Sequence, residues 1–177
     1  MEKLYYKTWK NSHFSVTCVF SPKGVCRIFL DKGNFPNEDP YLKKKFGEFK
    51  LVKVSPKNSK IFLLAKKMEK FLRDYFSKKN PGNFSSIHLD PRGTSFQTKV
   101  WKALIRIPFG KTKTYGNLAK DIQHPKAVRA LGTACGANPL PLLIPCHRVL
   151  GSQGSFGGFS GGIHLKRMLL RNEGILV

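Results

Sequence analysis

The chain has 177 residues, 41% of them hydrophobic and 24% charged, which is enough apolar material for a core and excludes a low-complexity or disordered tail. Its 32 Lys and Arg against 10 Asp and Glu give a formal net charge of +22 and a pI near 10.2, more than solubility asks of a small protein, and predict a polyanionic partner. The amino-terminal "MEKLYYKTWKNSHFSV" holds no apolar signal region and no run is long enough to cross a bilayer, so a protein inside the cell with no membrane partner is expected, cytoplasmic in a prokaryote or nuclear in a eukaryote.

In chain order, "HFSVTCVF" (13–20) and "VCRIFL" (25–30) are β-rich runs joined by Ser21-Pro22-Lys23-Gly24, which reads as a hairpin, and "FKLVKV" (49–54) predicts a further strand. From Asn58 to Phe76 the residues Ile61, Leu64, Met68, Phe71, Leu72 and Tyr75 recur at three- and four-residue steps with lysines between them, an amphipathic helix against the sheet. "SKKNPGNFSS" breaks that helix, and "LDPRGTS" reads as a connector. The expected division is therefore 1–92, a mixed α/β domain, and 93–177, a mostly helical one, in an α/β (α+β) protein. The basic excess is shared, with 20 basic and 8 acidic side chains in the first part and 12 and 2 in the second.

Thr94 or Ser95 can cap a helix carrying Phe96, Val100, Trp101, Leu104 and Ile105, which Pro108-Phe109-Gly110 stops. A short helix over about 114–122, a brief turn and a second helix with Pro125 near its first position then suggest a helix-turn-helix. The second helix is lined by Ala127, Ala130, Gly132, Thr133, Ala134, Gly136 and Ala137, with Arg129 the long exception. Such a strip suits close packing in a core equally with pressing into a groove. Asn138-Pro139 ends the helix, and "LPLLIP" runs into Cys146-His147-Arg148.

The cysteines at 18, 26, 135 and 146 form no CxxC pair and are expected as free thiols. A thiol gains nucleophilic thiolate from a nearby base or cation, so His147 and Arg148 make Cys146 a candidate nucleophile. A histidine base wants a carboxylate to fix its tautomer. After residue 92 only Asp121 and Glu173 are acidic, and Glu173 ends the helix "HLKRMLLRNEG", where the helix dipole disfavours a negative charge unless a tertiary partner compensates.

"TYGNLA", "GTACGANPLPLL", "IPCHRV", "GGFSGG" and "LKRMLLRNEG" together resemble the O6-alkylguanine-DNA alkyltransferases, from about Gly93 to Gly174. Residues 1–92 are similar to that family only in general layout. The resemblance implies DNA repair by transfer of an alkyl group from O6-alkylguanine, and less readily O4-alkylthymine, to Cys146. A thioether is not readily hydrolysed, and no second thiol is expected to resolve it, so the protein acts once. The resemblance further implies that His147 deprotonates Cys146 through a water, with Glu173 orienting His147. Tyr115 then assists phosphate rotation and donates to the leaving purine, Asn138 braces the turn before the reactive segment, and Lys166 supports the tyrosine. Arg129 becomes the finger that replaces a flipped nucleotide, with Ala127, Ala130, Thr133 and Ala134 facing the minor groove. Pro141, Val149, Gly157, Phe159 and Ser160 become the pocket wall; Phe159 stands where many relatives have tyrosine.

The implied partner is duplex DNA bearing O6-alkylguanine, bound by a monomer without a cofactor. His13, Cys18, Cys26 and His88 match no zinc spacing, so no metal is expected. Three alternatives stand beside this reading. An alkyltransferase-like lesion-binding protein would lack the acceptor cysteine. A thiol hydrolase would use Cys, His and Glu but leaves the Arg129 helix and the charge unexplained, and a purely structural DNA-binding protein leaves the cysteine unexplained.

Overall fold

Apolar and β-branched runs near the amino terminus build three strands, β1 (Glu2–Lys10), β2 (Ser15–Ser21) and β3 (Gly24–Leu30), joined by β4 (Phe49–Lys53) into one sheet of order β3-β2-β1-β4. The structure, a computed structural model, describes residues 1–10, 15–30, 36–82 and 84–176. The chain divides into two compact units, Met1–Ser77 with Pro81–Arg92, and Lys78–Asn80 with Gly93–Val177.

In the first unit β1 and β2 run antiparallel, as do β2 and β3 across the expected hairpin, while β4 lies parallel to β1. A parallel neighbour needs a crossover, and α1 (Pro40–Phe46) lies within it. The sequence reading missed both β1 and α1. Lysines at 3, 7 and 10 blur the alternation of β1, which is a central strand only because β4 returns to its far side. α1 is a seven-residue helix whose start is marked by Asp39, accepting from the Leu42 amide, and by Pro40 at the first position. Leu42 and Phe46 pack with Leu4, Val19, Cys26 and Phe29 on one face of the sheet.

The other face carries α2 (Ser59–Phe76), as its periodicity predicted, with Ile61, Leu64, Ala65, Met68, Phe71, Leu72 and Tyr75 buried. Lys7 of β1 reaches Glu69 of α2 at 3.1 Å. The end of the unit returns to β3: the Val25 amide donates to the His88 carbonyl and the Asp90 amide to the Val25 carbonyl, each at 2.8 Å. Gly24 is required there, because a Cβ would lie 2.4 Å from the His88 carbonyl oxygen.

In the second unit α3 (Ser95–Ile105) opens on a capping box, Thr94 accepting from the Gln97 amide and Gln97 from the Thr94 amide. It ends before Pro108, and Trp101 buries its ring and donates from Nε1 to the Ala134 carbonyl at 2.9 Å. α4 (Tyr115–Asp121) is capped by Thr114, and α5 (Val128–Gly136) begins after a turn. Pro125 is thus not at the first position of α5 as expected: the Ala127 amide closes a turn on His124, and helical geometry starts only beyond it. β5 (Lys113–Thr114) pairs in parallel with β6 (Val149–Leu150), and α6 (Ile163–Asn172) closes the unit. No helix among the described residues is long and apolar enough to cross a membrane.

Candidate active site

Between α5 and β6 the chain makes a tight, largely buried excursion, with Leu140, Leu143 and Ile144 at 0% exposure and Pro141 half buried. Asn138, just past the end of α5, organises it. Its Oδ1 accepts from the Leu140 amide at 2.9 Å, and its Nδ2 donates to the Ile144 carbonyl at 2.7 Å and to Cys146 Sγ at 3.1 Å. One amide side chain therefore sets the turn and touches the candidate nucleophile. Pro145 precedes a single 3-10 turn, Cys146–Arg148, which gives Cys146 and His147 different directions although they are adjacent in sequence.

Cys146 is 4% exposed. Burial pushes its thiol above the ordinary range, against the Asn138 donor and the Lys166 charge, which act in the opposite sense. The resting group is a neutral thiol that needs a base. His147 is fully buried and burial holds its imidazole neutral, partly opposed by Glu173. Its Nε2 lies 2.7 Å from Glu173 Oε1, so an ionised Glu173 accepts from Nε2–H and leaves Nδ1 as the basic nitrogen.

Glu173 caps the end of α6 and is buried. Burial alone would raise its pKa, but His147 and Arg148 together bring it to about 2. Arg148 grips it with both arms, Nε donating to Oε2 at 2.9 Å and Nη2 to Oε1 at 3.0 Å, and the Gly110 amide donates to Oε2 at 3.1 Å. Arg148 also donates from Nη1 to the Ile107 carbonyl at 2.6 Å. The sequence reading treated Arg148 only as a nearby cation. Its bidentate role is what offsets the helix dipole at Glu173, and the scarcity of carboxylates after residue 92 was the signal that could have paired the two.

Lys166 is buried and donates from Nζ to the Val149 carbonyl at 2.6 Å and to the Phe156 carbonyl. That ammonium ties α6 to β6 and to the glycine-rich loop, and it stands 5.9 Å from the centre of the Tyr115 ring. Tyr115 opens α4, half buried, with its hydroxyl donating to the Gly158 carbonyl at 3.5 Å. Gly157, at φ +60°, lies against that ring, where a Cβ would be 3.1 Å from Cε2. Cys135, absent from the sequence-derived site, is raised to about 12, first by burial and then by Cys146, so a second buried thiol stands near the candidate nucleophile.

Two buried hydrogen-bonded sets thus meet at neighbouring residues, Asn138 with Cys146 and Glu173 with His147 and Arg148, and Lys166 is bonded to the Val149 carbonyl just beyond them. Pro141, Phe159 and Ser160 stand outside those hydrogen bonds, Phe159 half buried and Ser160 exposed on the loop. On α5, Arg129, Ala130 and Thr133 are exposed and Ala127 partly so. Ala134 is turned inward, 2% exposed under Trp101, which corrects its expected place on the outer face. A Cβ at Gly132 or Gly136 would meet nothing within 4 Å, so these glycines are not there to let another part of the chain approach. Among the described residues no group of three or more His, Cys, Asp or Glu could hold a metal ion; His13 lies outside them.

A sequence model described as "6-O-methylguanine DNA methyltransferase, DNA binding domain" matches residues 95–175. A Methanosarcina mazei protein named methylated-DNA–protein-cysteine methyltransferase is 48% identical over 102 residues, covering 58% of this chain and 63% of that protein. A Haemophilus influenzae protein of the same name is 52% identical over 92 residues, covering 52% of this chain and 51% of its own. The chain's match therefore spans only about half to three-fifths of these relatives' length. Among solved structures, Mycobacterium tuberculosis OGT in complex with DNA has a TM-score of 0.75 at 30% identity, covering 96% of this chain and 92% of that one. The O6-methylguanine-DNA methyltransferase of Pyrococcus kodakaraensis has a TM-score of 0.62 at 25% identity, covering 97% and 99%. With its site built on the PCHR segment and its fold shared along nearly the whole chain, the protein belongs to the methylated-DNA–protein-cysteine methyltransferase family.

Proposed function

We propose that the chain repairs DNA by moving the alkyl group of O6-alkylguanine, and less readily of O4-alkylthymine, onto its own Cys146, once per molecule. The observation that carries this reading is a buried thiol, Cys146, bonded by Asn138, next in sequence to a buried histidine that is held by the ionised Glu173. The Cys146 proton passes to His147 through a bridging water. Sulfur then forms its bond to the alkyl carbon as the carbon–O6 bond breaks. The electron pair stays on the purine, which takes up a proton, with Tyr115 donating to the ring as charge grows there. Unmodified guanine and a thioether on Cys146 are the products, and no cofactor is consumed.

Reaching O6 requires the nucleotide to leave the stack, at a cost of a few kcal/mol that is smallest for a damaged pair. The exposed, nearly side-chain-free strip of α5 supports minor-groove docking, with Ala127, Ala130 and Thr133 against the groove and Arg129 in the vacated space. Pro141, Val149, Gly157, Phe159 and Ser160 line the pocket for the extruded base, and Lys166 steadies Tyr115 from behind. The protein acts as a monomer, residues 1–92 forming one domain and 93–177 the reactive one.

Intact-protein mass after incubation with a duplex carrying one O6-methylguanine tests this directly. The expected result is a single added methyl, mapped to the Cys146 peptide and missing from Cys146→Ser. Binding without any mass change under reducing conditions would instead assign the chain to the lesion-binding, non-transferring relatives.

A further inference from the structure

The first unit has an electropositive ridge that its own packing does not use. The stretch 57–76 carries six basic side chains against two acidic ones, Glu69 and Asp74. Its buried stripe faces the sheet, and on the opposite side Lys60, Leu63, Lys67 and Lys70 share one exposed face of α2. Lys60 stands in the first turn, where the helix dipole disfavours a cation, so its charge does not serve the helix. Lys67 reaches the Ser86 carbonyl at 3.1 Å and Lys70 reaches Asp74 at 2.6 Å, both in the open. Leu63, between them, is 61% exposed.

The lysines of α1 differ. Lys43, Lys44 and Lys45 fall in the last turn of their helix, where cations offset the dipole, so their charge has a local explanation. A single exposed leucine offers far less apolar area than a helix lying in a lipid interface buries, which disfavours a membrane as the ligand of α2. From Lys60 to Lys70 the helix rises about 15 Å, and duplex DNA presents one negative charge about every 1.7 Å of its axis. The spacing and sign fit a phosphodiester backbone.

We infer that the exposed face of α2 in the first unit, through Lys60, Lys67 and Lys70, is a DNA-backbone contact surface additional to α5. The inference rests on the reading of the chain as a DNA-repair protein. The contact is independent of sequence and of the lesion: it adds affinity for any duplex and leaves the chemistry at Cys146 untouched.

The test uses the full chain and an undamaged duplex, with the dissociation constant followed as salt rises. The triple variant Lys60→Gln, Lys67→Gln, Lys70→Gln is compared with Lys23→Gln, Lys43→Gln, Lys44→Gln, which removes the same charge from the hairpin turn and from α1. Each phosphate contact contributes about 0.9 to the slope of log affinity against log salt. The α2 variant is expected to lose roughly 2–3 from that slope, and the matched variant to lose much less. Arginines at the same three positions restore the slope, and the rate of methyl transfer at saturating damaged duplex is the same in all of them. Equal slopes in the two triple variants overturn the proposal, because net charge alone then explains the effect; so does an α2 variant indistinguishable from the parent. If Arg129→Ala still weakens binding in that case, the functional reading survives alone. A parent chain that binds no duplex takes down both.

Discussion

At the scale of single residues the site turns on one carboxylate with three donors. Glu173 is held ionised by His147, Arg148 and the Gly110 amide, and a buried pair broken on one side costs about 3–5 kcal/mol because the remaining charge is stranded. Glu173→Gln is expected to be destabilising on that scale through Arg148. Adding Arg148→Met should recover part of the loss in urea unfolding, while transfer to Cys146 stays impaired because His147 has lost its anchor. Equal instability of the single and double variants would show that the pair is not the source. The same groups set the acid limit. An unfolded histidine takes up its proton as pH falls through about 6.5 and an unfolded glutamate near 4.3, whereas burial keeps folded His147 neutral and Glu173 keeps its charge down to about 2. The unfolded chain therefore binds the extra protons, and stability present at neutral pH is lost as pH falls below about 6.5 through His147 and again between about 4.3 and 2 through Glu173. The Glu173→Gln chain should lack the lower limb.

At the scale of elements, α5 separates what packing requires from what it does not. Leu131, Ala134 and Cys135 are buried, and the helix could not lose them; Gly132 meets nothing. A glycine inside a helix costs roughly 0.5–1 kcal/mol relative to alanine, so Gly132→Ala is expected to raise the unfolding free energy by about that amount and yet weaken binding to damaged duplex. A variant both more stable and equally tight would remove the glycine from the docking surface. The sequence carried α2, α3 and the β2–β3 hairpin because their periods and caps are local. It carried neither β1, whose place depends on a distant parallel partner, nor α1, too short for a period to emerge. In the site, Cys146, His147 and Asn138 were legible from spacing and resemblance. The grip of Arg148 on Glu173 joins residues 25 apart through a turn whose direction only the fold determines, and the inward rotation of Ala134 follows from where Trp101 sits, not from alanine itself.

At the scale of the whole molecule, the proposed acceptor Cys146 is embedded in the buried interior of the second unit. Cys146 is 4% exposed and is followed within a few residues by Val149, which is fully buried, while Leu140, Leu143 and Ile144 precede it at 0%. A methyl group added to Sγ in this buried setting is expected to crowd its neighbours and to weaken the contact from Asn138 Nδ2. Overpacking of a core by one such group costs about 1–3 kcal/mol. In a chain of this length each kcal/mol corresponds to roughly 2–4 °C in melting temperature. The methylated protein is therefore expected to melt roughly 2–12 °C below the unreacted one. The comparison has to be made after the duplex is removed, because a ligand that binds only the folded state raises the apparent midpoint by mass action, and a net charge of +22 would hold the proposed DNA partner tightly at low salt. Melting the free protein in high salt before and after complete reaction, with Cys146→Ser treated in parallel, separates the two effects. A fall confined to the reacting chain would tie the proposed single turnover to a loss of stability, whereas an unchanged midpoint would mean that the proposed pocket already holds space for an alkyl group.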